Sequence, residues 1–174
     1  ADQFIRTGLY RHILVVGAEV LHPFVNYKDR ETCILFGDGA GAVIASRAEA
    51  NDPSKIYSMH MRADGSLGEL FMLKAGGSAI PMSAEALEKG LNYLSMRGRE
   101  IFKHAVRTMS DVCQQALDVN GMTMDQIQWL IPHQANLRII DAVGKHFGIP
   151  AERVIVNVHE TGNTSAATVP VAFD

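Results

Sequence analysis

The amino-acid sequence predicts an α/β fold in which short buried strands of a largely parallel sheet alternate with helices. Three observations carry this. Compact apolar runs recur at residues 12–17, 33–36, 42–45, 127–131 and 154–158, strand-length and mostly rich in β-branched residues. Two longer segments place apolar residues at helical spacing. In the second half of the chain the two kinds of segment take turns, with Gly, Pro and Asn between them.

In chain order, Ala1-Asp-Gln-Phe-Ile-Arg-Thr-Gly8 reads as the end of a helix closed by Gly8. Strands follow at 12–17, 33–36 and 42–45, the last two joined by Gly37-Asp-Gly-Ala-Gly41. A dinucleotide-binding loop needs its third glycine one place later and a helix after it. A β-branched run follows instead, so this segment is expected to be a tight strand-to-strand turn. Asn51-Asp-Pro53 marks a boundary, with residues 1–50 ending one structural half and 51–174 forming most of a second. Residues 56–61 are expected to be a strand and 70–82 a loop.

Phe102, Ala105, Met109, Val112 and Ala116 define a helix over 98–120, closed by Gly121. Thr123-Met-Asp-Gln126 offers a capping box for one helical turn. The strand at 127–131 then delivers Pro132 and His133 at its carboxyl end. Leu137, Ile140, Val143 and Phe147 trace a helix ending at Gly148, and another helix is expected after Gly162. The chain opens inside one helical pattern and stops inside another, so both ends are expected to be cut ends.

The 174 residues carry a net charge of -3, with 47% apolar and 20% charged residues, which gives no global reason to expect nucleic-acid or membrane-surface binding. No apolar stretch is long enough to span a bilayer. Two cysteines, Cys33 and Cys113, make no disulfide framework and no metal spacing, which suits a cytoplasmic compartment; no metal ligand set is expected.

Ligands of α/β sheets bind beyond the carboxyl ends of strands. Two such junctions carry polar residues able to do chemistry. His133, between Pro132 and a helix start, can present a ring nitrogen from a constrained position. Asn163 follows Gly162, whose backbone freedom lets the amide point into a cleft. Each also has a plain structural reading, as a satisfied junction histidine and as a helix N-cap.

The words around them are more specific. Pro132-His-Gln-Ala-Asn-Leu-Arg-Ile-Ile140 and Gly162-Asn-Thr-Ser-Ala-Ala-Thr-Val-Pro170 resemble the two active-site signatures of the β-ketoacyl-acyl-carrier-protein synthase III family, condensing enzymes of the thiolase-like superfamily. Leu14-Val-Val-Gly17, Phe36-Gly-Asp-Gly-Ala-Gly41, Ala63-Asp-Gly-Ser66 and Met96-Arg-Gly-Arg-Glu-Ile-Phe-Lys103 extend the resemblance along the chain in family order.

The resemblance implies a thiolase-like fold, layered α-β-α-β-α and here incomplete, and a decarboxylative condensation that initiates fatty-acid synthesis. Family members use a Cys-His-Asn triad. The cysteine takes an acyl group from acyl-CoA; malonyl-acyl-carrier protein then loses CO2, and the carbanion attacks the acyl-enzyme. By resemblance His133 and Asn163 stabilise the enolate of the thioester as hydrogen-bond donors. The family's cysteine would lie before Ala1, and Cys33 and Cys113 are expected to be packing residues instead.

The resemblance also assigns Gln134, Ala135, Asn136, Leu137 and Arg138, with Lys103, to the surface that meets the acyl carrier protein, a patch that Lys145 would extend. It places Asn136 and Gly98 along the pantetheine arm of CoA. It implies a homodimer that takes CoA and phosphopantetheine thioesters as substrates and needs no cofactor. Two other readings are a related condensing enzyme of the type III polyketide synthase kind, using the same His and Asn, and a binding module for carrier protein or CoA without turnover.

Overall fold

The computed structural model describes all 174 residues. Its elements are α1 (Asp2–Arg6), β1 (His12–Glu19), β2 (Gly39–Ser46), β3 (Phe71–Leu73), α2 (Ala84–Glu88), β4 (Leu94–Met96), α3 (Gly98–Asn120), α4 (Leu137–His146), α5 (Val158–Thr161) and α6 (Thr168–Phe173), with short 3-10 segments between several of them.

The helices follow the sequence closely. Gly8 (φ 78°) leaves α1 and Gly121 (φ 61°) leaves α3, both in the left-handed conformation that lets a glycine end a helix. The capping box forms at Thr123, whose backbone N–H donates to Gln126 Oε1 at 2.9 Å. Asn136 caps α4 by accepting from the Ile139 N–H at 3.0 Å. Ile139, Ile140 and Val143 of α4 are buried where α3 packs against it. Burying each such side chain contributes about 1.5–3 kcal/mol before the entropy of ordering it.

The sheet departs from expectation. β1 and β2 pair antiparallel over their full lengths, with Gly17 opposite Gly41, and β3 pairs antiparallel with β4. Parallel pairing is confined to two bridges, Phe36 with Asn163 and Leu130 with Val154. Hydrophobic periodicity reports burial but carries no strand direction, so the parallel expectation fails here. Residues 127–131 and 154–158 pair only at the Leu130–Val154 bridge, Val158 already begins α5, and 56–61 form no strand.

Residues 33–36 are also not a strand. The Asp29 carboxylate accepts from the Glu31 N–H at 3.0 Å and the Thr32 hydroxyl at 2.7 Å, while its carbonyl accepts from the Cys33 N–H at 3.0 Å. These local bonds turn the backbone through residues 29–35 and satisfy groups a strand ladder would have used.

The glycine-rich segment is likewise no tight turn, because Gly39 already opens β2. Its glycines serve close packing. A Cβ on Gly37 would lie 2.2 Å from the Thr161 carbonyl oxygen, and one on Gly17 would lie 2.5 Å from that of Ala166. The segment from 161 to 173 thereby lies directly on the β1–β2 pair. The opposite face of the pair is bare: Leu14 and its register partner Ile44 are 64% and 70% exposed. No helix is long and apolar enough to cross a membrane.

Candidate active site

His133 is placed by what surrounds Pro132. Gln134, next in sequence, is 0% exposed and binds on both sides. Its Nε2 donates to the carbonyls of Pro132 at 3.0 Å and Ile155 at 3.1 Å. Its Oε1 accepts from the N–H groups of Asn157 at 2.9 Å and Val158 at 3.2 Å. One carboxamide thus ties the segment carrying His133 to the segment leading into α5. This corrects the assignment of Gln134 to a carrier-protein surface: the side chain is interior and its hydrogen-bond partners are all backbone groups.

Asn163 is held through backbone and side chain together. Its N–H donates to the Leu35 carbonyl at 2.8 Å, and its carbonyl accepts from the Gly37 N–H at 3.1 Å. Gly162 precedes it at φ 68°. Asn163 Oδ1 accepts from the Ser165 N–H at 2.9 Å, which fixes the orientation of the carboxamide. The amide oxygen is therefore turned inward to the loop, and Nδ2 is the half left to donate elsewhere.

The two residues are joined by a short chain of hydrogen bonds. His133 Nδ1 lies 2.6 Å from Thr168 Oγ1, and the Thr168 hydroxyl donates to the Ser165 carbonyl at 2.8 Å. Ser165 thus uses its carbonyl toward the His133 side and its N–H toward Asn163. It is the one non-glycine residue with positive φ (48°). Backbone strain of this kind costs about 1–3 kcal/mol and persists where surrounding contacts hold it. Burial lowers the His133 pKa below the ordinary imidazole value, which favours the neutral ring.

Neither cysteine joins this cluster. The hydrogen-bond partner of the His133 ring is Thr168, and burial raises the pKa of the Cys113 thiol, opposite to the shift of an activated nucleophile. Cys33 lies in the Asp29 turn. No group of three His, Cys, Asp or Glu side chains is placed to hold a metal ion. An open groove of about 1270 Å³ lined by Ile5, Val15, Ile44, Ile56 and Phe173 lies apart from His133 and Asn163.

The remaining residues divide. Leu137 and Arg138 are exposed on the first turn of α4, with the Arg138 guanidinium 5.4 Å from the centroid of the Phe102 ring on α3. Lys103 and Lys145 are exposed as well. Nearby Arg97 and Arg107 are instead drawn to Glu100 and Asp111 of α3, each at 3.8 Å. Ala135 and Asn136 are half-buried, Asn136 occupied as the α4 cap. Gly98 opens α3 with room for no more than ordinary contact, 3.7 Å from Met96 to a Cβ built there. Sequence reasoning missed Thr168 and Ser165, which lie inside the motif of Asn163 and look there like ordinary helix-start residues.

Family models match at both ends. A model of 3-oxoacyl-[acyl-carrier-protein] synthase III matches residues 1–65, and that of the C-terminal part of the same enzyme matches 117–174. The chain belongs to the 3-oxoacyl-[acyl-carrier-protein] synthase III family. It is 45% identical over 174 residues to a β-ketoacyl-[acyl-carrier-protein] synthase III of Caldanaerobacter subterraneus, covering 100% of this chain and 52% of that relative. A Roseiflexus synthase III is 46% identical over 173 residues, covering 99% of this chain and 52% of its own length. Among solved structures, the Aquifex aeolicus enzyme superimposes with a TM-score of 0.84 at 43% identity, over 99% of this chain and 50% of that one. The fold is therefore the thiolase-like α/β fold of these condensing enzymes. The chain spans about half the length of the curated relatives it matches.

Proposed function

We propose that this chain supplies the decarboxylating part of the site in an acyltransferase that condenses an acyl-CoA starter with malonyl-acyl-carrier protein. CO2 leaves, and a 3-oxoacyl-acyl-carrier protein is the product that initiates fatty-acid synthesis. The observation that carries this is the pinned carboxamide of Asn163, whose oxygen is held by Ser165 and whose Nδ2 remains to donate. Loss of CO2 leaves negative charge on the thioester oxygen. A pre-oriented donor that need not reorganise is the kind of group that stabilises such charge, and an amide does so without giving up its proton. His133 is the second polar member of the site, its pKa lowered by burial and its ring tied to Asn163 through Thr168 and Ser165.

In this reading residues 1–50 and 51–174 belong to the two halves of the enzyme, which works in the cytoplasm as a homodimer. The acyl-attacking cysteine comes from outside these residues. Single turnover tests the reading: acylate the full-length enzyme with acetyl-CoA, add malonyl-carrier protein, and follow CO2 and the carrier-bound product. An acyl-enzyme that releases no CO2 sinks it.

The carrier protein is proposed to dock at Arg138, Lys103 and Lys145, beside Leu137, Ala135 and Asn136, with Gly98 and Asn136 along the pantetheine arm. Arg138 held over Phe102 presents a guanidinium fork suited to carboxylates or a phosphate. Arg138→Glu is expected to weaken carrier-protein binding about tenfold or more at low salt, the loss shrinking as salt screens the patch. Calorimetric titration that finds the same affinity in both proteins removes Arg138 from the interface.

A further inference from the structure

We propose that Glu19, the last residue of β1, is a positioning residue for Asn163: its carboxylate tethers the turn that aims the Asn163 carboxamide. Glu19 Oε1 accepts from the Ala166 N–H at 3.2 Å, across 147 residues of sequence. That N–H is one of three in a row whose partners shape the turn. The Ser165 N–H goes to Asn163 Oδ1 at 2.9 Å, the Ala166 N–H to Glu19, and the Ala167 N–H to the Thr164 carbonyl at 3.0 Å. The first and third bonds close within the turn. Of the three, only the second reaches outside it.

The shape of the β1–β2 pair complements this bond. A Cβ on Gly17 would lie 2.5 Å from the Ala166 carbonyl oxygen, and one on Gly39, the register partner of Glu19, 2.9 Å from Thr164 Cγ2. These glycines let the turn approach but attract nothing; the half-buried Glu19 supplies the attraction. Asp38, the neighbouring acid, is committed elsewhere, its carboxylate accepting from the Leu21 and His22 N–H groups at 2.7 and 3.0 Å. A carboxylate on a backbone N–H makes a stronger bond than a neutral acceptor does. Without it Ser165 must still hold φ 48°, a conformation that persists only where contacts enforce it. Once Ser165 relaxes, its N–H leaves Asn163 Oδ1 and the carboxamide is free to turn. Misplacing a reacting or donating group by about 1 Å costs on the order of 10²-fold in rate. Glu19 thus acts on the reaction through Asn163.

This inference rests on the condensing-enzyme reading for the step that slows, but its first readout does not. Full-length enzyme labelled with ¹⁵N-alanine and ¹⁵N-asparagine shows the Ala166 N–H and the Asn163 carboxamide, assigned by their loss in Ala166→Gly and Asn163→Asp. The wild-type Ala166 N–H is expected to exchange slowly with solvent. Glu19→Met keeps the reach of the side chain and removes the acceptor. Its Ala166 N–H is expected to lose protection and its Asn163 carboxamide signals to shift. CO2 release from malonyl-carrier protein is expected to fall about 10–10²-fold in kcat at little change in KM, with acylation unchanged. Glu19→Gln retains an acceptor oxygen and is expected to restore the signals and most of the rate. A wild-type Ala166 N–H that exchanges as fast as an unbonded amide overturns the proposal, whether or not the methionine variant folds. So does a Glu19→Met enzyme with unmoved Asn163 signals, an undiminished rate of CO2 release or an equal loss of acylation. A Glu19→Gln enzyme as slow as Glu19→Met overturns it too. If the tether stands while the acylated wild-type enzyme releases no CO2, the condensing reading fails and the positioning of Asn163 by Glu19 survives it.

Discussion

Replacing Asn163 with aspartate in the full-length enzyme is expected to slow CO2 release from malonyl-carrier protein about 10²–10³-fold while the acyl-enzyme still forms. The substitution is close to isosteric and retains the anchor. One carboxylate oxygen takes the place of Oδ1 and accepts from the Ser165 N–H, which now meets a full negative charge and binds it at least as well. The turn at Ser165 and its carbonyl bond from Thr168 therefore persist. What changes is the other atom: a donating N–H2 becomes an acceptor carrying charge, placed where the enolate oxygen would develop its own. Repulsion replaces stabilisation at the step that generates charge. Asn163→Ala removes the donor and the anchor together, so it is expected to lose CO2 release to a similar degree with an additional loss of thermal stability. Acylation read by mass spectrometry and CO2 release read in the same sample separate the steps. Equal losses in both would make Asn163 a general structural residue, and preserved CO2 release would end its proposed role.

The family and the long helices were legible in the sequence, and the illegible part has a physical cause. The α3 and α4 helices and the capping box at Thr123 depend on contacts within a few residues, which motif and periodicity record, whereas Asn163 is held by Leu35 and Gly37 far away in sequence. Strand direction does not: β1 and β2 are antiparallel, yet nothing in either run distinguishes that from parallel pairing. The role of Thr168 was hidden for the same reason, since its partner His133 lies 35 residues away. The glycines of 37–41 were noticed for a turn, whereas Gly37 is needed for a carbonyl that approaches from Thr161. A glycine states that space is short and does not say which distant segment fills it. The bare apolar face at Leu14 and Ile44 was equally unreadable, because a continuous apolar run reads as a strand covered on both faces.

Gln134 is the sharpest of these cases, and it supports the largest expected change in stability. The resemblance assigned Gln134 to a carrier-protein surface; here it is interior, and Pro132, Ile155, Asn157 and Val158 all present backbone groups to it. Gln134→Leu preserves most of the volume and leaves two carbonyls and two N–H groups facing hydrocarbon. At about 1–3 kcal/mol for each group left without a partner, and with some relaxation toward one another or water, the expected loss is about 4 kcal/mol or more. That is a large share of a typical domain's stability of about 5–15 kcal/mol. Gln134→Glu gives a variant whose loss depends on pH. Its carboxylate keeps the acceptor side toward Asn157 and Val158 but turns its second oxygen on the carbonyls of Pro132 and Ile155. Protonation supplies one donor to them, so the folded-state pKa of this glutamate is raised above the ordinary value of about 4.3. The stabilising proton is present below that value and is lost as pH rises through the raised one, so the variant is expected to be firmest in mild acid and to weaken toward neutrality. Urea unfolding of wild type and both variants across that range measures it. A Gln134→Leu protein as stable as wild type, or a Gln134→Glu protein whose stability follows the wild-type pH profile, would mean that this side chain does not tie the two segments together.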